Sequence, residues 1–280
     1  MQPFLKWSFA AAGLALSLSV LLPAAIWLRS EAVIERRYPL LSATLTASTD
    51  AKSRRRGAHL AAIGGCADCH GSDLEGRHMV RDGILPMWSP NLRRLAHAIA
   101  DDDFERAVRS GIAPDSRSTW LMPAMDYTYM SEDDLAAILA YLRSLDARGP
   151  ARAATTFDMR ARFAVADGDL EPIAVRALES PASLDLGPRY DGGRYLARIA
   201  CGDCHGTDLQ GSKMGSDLDS VAPYSRTQFF ALLRGGRTYD GRALGAMARP
   251  RFRALYDYEI DALYDYLSAR AKALSRSNPR

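Results

Sequence analysis

The sequence predicts an all-α protein, with two similar helical units behind an N-terminal transmembrane helix. Three observations carry that prediction. Residues 7–28 form an uncharged run, WSFAAAGLALSLSVLLPAAIWL. Two later stretches, 57–148 and 190–270, repeat one another. Within both, apolar residues recur at helical spacing, and little alternates at the period of a strand.

The uncharged run is 22 residues long. At ~1.5 Å rise per residue it covers roughly 33 Å, enough for a hydrocarbon core of ~30 Å. Trp7 and Trp27 lie at its ends, where indoles favour the interface, and Lys6 precedes it. The rival reading is a cleaved signal peptide, with Leu22-Pro23-Ala24-Ala25 as a weak cleavage site. Residues 1–28 are expected to be an anchor or signal segment and 29–56 a linker. Arg29, Arg36 and Arg37 oppose Lys6 across the run, so its basic flanks do not orient it.

Composition sets broad limits. Of 280 residues, 48% are apolar and 25% charged, as in a folded protein. A net charge of +3 is too small for a nucleic-acid footprint. The charge is uneven: 64–148 is acidic, whereas 1–63 and the tail 271–280 are basic. Solvated surface explains this, with a docking face as the alternative.

The repeat has two registers. An offset of 125 aligns Phe104 with Phe229, Arg109 with Arg234, Gly111 with Gly236, Met122 with Met247, Leu135 with Ile260 and Ile138 with Leu263. An offset of 135 aligns CADCHGSDLEG (66–76) with CGDCHGTDLQG (201–211). The second copy has therefore lost ten residues between its cysteines and its later helices. Upstream, Gly57, Leu60 and Ile63 match Gly193, Leu196 and Ile199, and the first copy carries an extra glycine before Cys66.

Each copy reads as three helices, over 57–63, 101–110 and 132–145, and over 193–199, 226–234 and 257–270. Ser131 with Asp134, and Ser225 with Gln228, are spaced as N-terminal caps. Leu135, Ile138, Leu139 and Leu142 then recur at i, i+3, i+4 and i+7. The rest is loop, which needs something to pack around. Residues 149–189 read as an interdomain linker of little periodicity.

All four cysteines fall in the two C-x-x-C-H stretches. A disulfide within each pair would leave the histidine idle. A redox dithiol expects a βαβ context. Structural zinc expects four ligands, and each copy offers Cys, Cys and one cramped His. Covalent haem attachment uses every residue: two thiols for the porphyrin vinyl groups and the histidine for the iron.

CADCHGSDLEG and CGDCHGTDLQG, each followed by Arg-x-Gly, a methionine and a final Tyr-Leu helix, resemble class I c-type cytochrome domains. The arrangement is similar to membrane-anchored dihaem cytochromes c, including cytochrome subunits of periplasmic dehydrogenases. The resemblance implies two tandem class I domains and two covalently bound haem c groups, held by Cys66, Cys69, Cys201 and Cys204. It also implies a single-pass protein of the cytoplasmic membrane with its haem domains in the periplasm.

The axial iron ligands are then His70 and His205, each with a partner. After His205 there is no further histidine, and Met214 follows too closely to pass round the haem edge. Met247 is the choice there. In the first copy the offset of 125 selects Met122, with Met125 as its rival and His59, His78 and His97 available. Pro90 and Pro223 are candidate carbonyl partners for the two histidines, and Arg109 and Arg234 candidate propionate contacts. Thioether ligation favours ferrous iron and leaves no open position. The expected function is single-electron transfer between redox protein partners: a dehydrogenase, an oxidase or a small soluble carrier. The protein is read as a carrier and not an enzyme. The alternative is a catalytic dihaem protein, a peroxidase or thiol oxidiser, with one open haem site.

Overall fold

Along the chain run α1 (Gln2–Ile34), α2 (Ala51–Ile63), α3 (Cys66–His70), β1 (His78–Arg81), β2 (Leu85–Trp88), α4 (Leu92–Ala98) and α5 (Asp101–Ser110). Then come α6 (Ala124–Tyr127), α7 (Glu132–Arg143), α8 (Met159–Asp167), α9 (Ile173–Leu178) and α10 (Asp191–His205). The last are α11 (Arg226–Gly235), α12 (Pro250–Arg253) and α13 (Asp257–Ser277). The structure is a computed structural model. It describes residues 2–40 and 42–277, without the side chains of 2–12, 14, 15, 18 and 277.

Capping chemistry sets several helix starts. Ser131 accepts from the Asp134 N–H at the start of α7. Ser225 and Gln228 form a reciprocal capping box at α11. Asp50 and Asp158 cap α2 and α8 in the same way. Each such cap satisfies a backbone donor that the first turn leaves open.

The repeat survives as two helix pairs. α2 crosses α7 so closely that a Cβ on Gly57 would lie 1.8 Å from the Ala137 carbonyl oxygen. α10 crosses α13, where a Cβ on Gly193 would lie 2.1 Å from the Ala262 carbonyl oxygen. Only glycine permits either crossing. Ala137 and Ala262 are themselves related by the offset of 125.

The expected fold class is corrected in three respects. First, among the described residues no helix is long and apolar enough to cross a membrane. The expected transmembrane helix over 7–28 does not stop at Leu28. It continues through Arg29 and Glu31, and its far end docks on protein. Ser30 and Ile34 are buried there, and Arg162 of α8 donates to Ser30 Oγ (3.1 Å) and Glu31 Oε2 (2.7 Å). Part of the expected span lies outside the described side chains.

Second, the chain is not wholly α. β1 and β2 form an antiparallel hairpin with His78 opposite Trp88 and Arg81 opposite Leu85. Asp82 and Gly83 turn it, both with positive φ (51° and 69°). Asp-Gly is a strong signal for this turn.

Third, the expected pair of tandem domains does not have two separate cores. One apolar cluster holds Leu60, Ile63, Leu135 and Leu139 together with Leu196, Ile199, Ile260 and Leu263. The stretch expected to be a linker contributes α8 and α9. Ile173 of α9 packs so close to Gly111 that a Cβ there would lie 2.5 Å from it.

Candidate cofactor site

Both motifs end in the same turn. Leu74 and Leu209 are left-handed, with φ of 62° and 63°. That conformation costs a leucine ~1–2 kcal/mol and persists where its surroundings over-determine it. Here the Leu74 and Leu209 N–H groups donate to the Gly71 and Gly206 carbonyls, both at 2.9 Å. The Gly76 and Gly211 N–H groups return to the His70 and His205 carbonyls at 2.7 and 2.8 Å. Then Leu92 donates to Leu74 and Leu218 to Leu209.

The lead-in differs. α10 runs unbroken through CGDCH, whereas Gly64 and Gly65 interrupt the first copy between α2 and α3. Gly65 is left-handed (φ 77°), so the extra glycine is where the helix breaks.

Each histidine is fixed by its Nδ1. His70 donates to the Pro90 carbonyl at 2.9 Å, the acceptor expected from the spacing. His205 donates to the Ser216 carbonyl at 2.6 Å, and not to Pro223. The lost ten residues explain this: the first copy places its hairpin between His70 and Pro90, and the second copy has none to cross. Both arrangements leave Nε2 for a metal. A serine then anchors each second cysteine: Ser89 Oγ donates to the Cys69 carbonyl (2.7 Å) and Ser212 Oγ to the Cys204 carbonyl (2.5 Å).

A cavity of about 780 Å³ adjoins the first motif. Cys66, Cys69, His70 and Pro90 line it, and so does Met122 from a distant loop. Phe104, Leu142 and other apolar side chains complete the wall. Met125 turns elsewhere, into a cluster with Ala124, Ile173 and Ala177. The other histidines are engaged away from this cavity: His59 with Glu259 (2.8 Å) and His97 with the Leu145 carbonyl (3.0 Å). His78 stands on β1 beside Trp88.

These residues fit the haem that the motif implies. The volume falls within the ~300–1,000 Å³ usual for cofactor pockets, and the lining is mostly apolar. Burial lowers the His70 pKa, and the Pro90 hydrogen bond offsets this in part, so the ring is held neutral, the form a metal would bind. Burial pushes the Cys66 and Cys69 thiols up to about 11 and Cys201 up to about 12, and raises Cys204 as well. A redox dithiol needs a lowered thiol pKa, so that reading is disfavoured. Among the described residues no group of three or more His, Cys, Asp or Glu is arranged to hold a metal ion.

At the second motif, Cys201, Cys204 and His205 close α10. Met247 ends a short 3₁₀ turn, Gly245–Met247, and packs against the same apolar core as Cys201.

Arg109 and Arg234 have structural partners. Arg109 bonds Glu105 and the Met130 carbonyl; Arg234 bonds Asp257 and the Arg253 carbonyl. Each ties a middle helix to the approach of the last helix.

The sequence reading missed two buried groups beside the motifs. Asp126 is 2% exposed, and neither carboxylate oxygen has a hydrogen-bond partner. Burial first, then the nearby Asp203 charge, push its pKa up to about 8. Arg251 is 5% exposed and lines the cavity. The offset of 125 pairs these two positions and was the available signal.

Residues 55–146 match the family model described as Cytochrome c, and that part of the chain is a cytochrome c domain. The chain is 28% identical over 272 residues to the fructose dehydrogenase cytochrome subunit of Gluconobacter japonicus, covering 82% of this chain and 55% of that protein. It is 30% identical over 262 residues to the gluconate 2-dehydrogenase cytochrome c subunit of Pantoea cypripedii, covering 77% of this chain and 59% of that protein. The chain thus spans little more than half the length of these relatives, with which it shares homology.

Proposed function

We propose that this protein is a dihaem cytochrome c that relays single electrons to or from a dehydrogenase, outside the cytoplasm. The observation that carries the reading is the cavity that brings Cys66, Cys69 and His70 together with Met122. The matched turn at Cys201, Cys204 and His205 supports a second site, with Met247 as its thioether. The likeness to cytochrome subunits of two dehydrogenases supports the partner.

Bound haem supplies reversible one-electron chemistry. The chain does the rest. The Pro90 and Ser216 carbonyls hold the imidazoles in one tautomer. Apolar walls exclude water from the first site. Met122 and Met247 would each offer a thioether sulfur to a haem iron, a ligand that favours the reduced form. So held, each iron would offer no position to a substrate, and the role is transfer and not turnover.

The test is haem counting on protein matured in a competent periplasm. We expect two covalently held haems per chain, falling to one in Cys66→Ala/Cys69→Ala and to one in Cys201→Ala/Cys204→Ala. Neither haem in the resting protein should bind cyanide rapidly. One haem in the unaltered chain would overturn the dihaem reading. Rapid cyanide binding would favour the catalytic alternative.

A further inference from the structure

Asp126 and Arg251 stand four residues after Met122 and Met247, at equivalent places in the repeat. Each reaches across to the opposite copy's motif. A Cβ on Gly202, inside CGDCH, would lie 2.4 Å from Asp126 Oδ1. In the other direction, Arg251 Nη1 lies 3.2 Å from Oδ2 of Asp68, inside CADCH. The same Nη1 lies 4.0 Å from Oδ2 of Asp203, inside CGDCH. Its Nη2 donates to the Ala200 carbonyl, one residue before Cys201, at 2.6 Å.

The first motif makes room for this guanidinium. A Cβ on Gly65 would lie 2.6 Å from Arg251 Nη1 and 2.9 Å from its Cζ. Gly65 belongs to the Gly64–Gly65 pair that precedes Cys66, where the second copy has the single residue Ala200. The insertion therefore has a steric purpose that helix breaking alone does not explain. Nearby charges are Asp68, Asp203, Asp126 with Arg198 beside it, Arg77, whose Nη1 donates to the Asp68 carbonyl (3.0 Å), and Arg249, whose Nη1 lies 3.6 Å from Asp68 Oδ2. Arg251 contacts Asp68 of the first motif and Asp203 of the second.

We propose that Arg251 is a positioning residue shared by both haem sites, holding the two C-x-x-C-H motifs together and raising both reduction potentials. The inference rests on the dihaem reading above. Reduction adds one negative charge at an iron. A fixed guanidinium in a low-dielectric interior stabilises that added charge more than water would. Because Arg251 is bonded to both motifs, its effect falls on two sites and not on one.

The experiment is an equilibrium spectroelectrochemical titration of the full, haem-loaded chain. Arg251→Gln should lower both midpoint potentials, each by about a tenfold loss of preference for the reduced form, ~59 mV for one electron. Arg251→Lys keeps the charge and should retain most of both values. Asp68→Asn should move the first site upward, and it tests the same charge cluster if Arg251→Gln does not fold. A shift at one haem only, or at neither, in Arg251→Gln overturns the proposal; so does an unmoved first site in Asp68→Asn. Haem content separates the two ideas: two haems with unmoved potentials overturn this inference alone, whereas one haem overturns the dihaem reading and this inference with it.

Discussion

His70 and His205 open the same turn, yet their surroundings differ. His70 is 7% exposed, screened by a hairpin, and reaches Pro90 beyond it. His205 is only half-buried and reaches Ser216 directly. The turn itself is unchanged, down to a left-handed leucine in each copy. The comparison separates two jobs. The turn presents an imidazole, and the residues after it decide how much water that imidazole meets. Burial disfavours the more highly charged oxidised iron. The first site should therefore have the higher potential of the two.

The sharpest way to break the equivalence is at the helix crossings. Gly57→Val and Gly193→Val each drive a side chain into a backbone carbonyl. Each should cost about 3 kcal/mol, read from denaturant unfolding of the haem-loaded chain. Equal costs support equivalent crossings; a negligible cost at either would show that the α2–α7 and α10–α13 pairs are not counterparts.

Next come the methionines. Met122→Ala and Met125→Ala should each cost about 2 kcal/mol, as truncations in an apolar setting. Only Met122→Ala should also open the first haem to cyanide. If Met125→Ala opens it instead, the offset of 125 misassigned the ligand.

Asp126→Asn tests the one acidic member of the crossed pair. The folded-state pKa of Asp126 is raised to about 8. Its stabilising protonated form is thus fully present below the unfolded value of 3.8 and is lost as pH rises towards 8. The native chain should lose stability across that window with a slope of at most ~1.4 kcal/mol per pH unit. Asp126→Asn should flatten the slope and gain stability at pH 8 relative to the parent. Parallel pH profiles for the two proteins would show that Asp126 ionises freely in the folded state.

Much of the helical plan was legible in the sequence. The caps at Ser131 and Ser225 mark local chemistry, and Leu135, Ile138 and Leu142 mark a buried face. The shared turn was legible because eleven residues repeat without a gap. The hairpin was not read, although Asp82-Gly83 was there; its flanks, Met79–Arg81 and Leu85–Met87, are too short for alternation to stand out. The single core was hidden for another reason. Packing between copies leaves no periodic trace, so Leu60 and Leu196 look alike whether they share a core or not. Arg109 and Arg234 stayed ambiguous in the sequence because a guanidinium beside glycine suits a carbonyl as well as a propionate. The run over 7–28 was read by hydropathy alone, which does not report that Ser30 and Ile34 dock on α8.

The hairpin has a practical corollary. Its root is built into the protein, with Leu85 fully buried and Arg81 donating to the Trp120 and Glu171 carbonyls, but its tip is not. Its tip at Asp82 and Gly83 faces open space, with nothing within 4 Å of a Cβ placed on the glycine. A tether for an electrode or a fluorophore spliced there would sit one short strand away from the cavity wall at Met87 and Trp88, outside every helix.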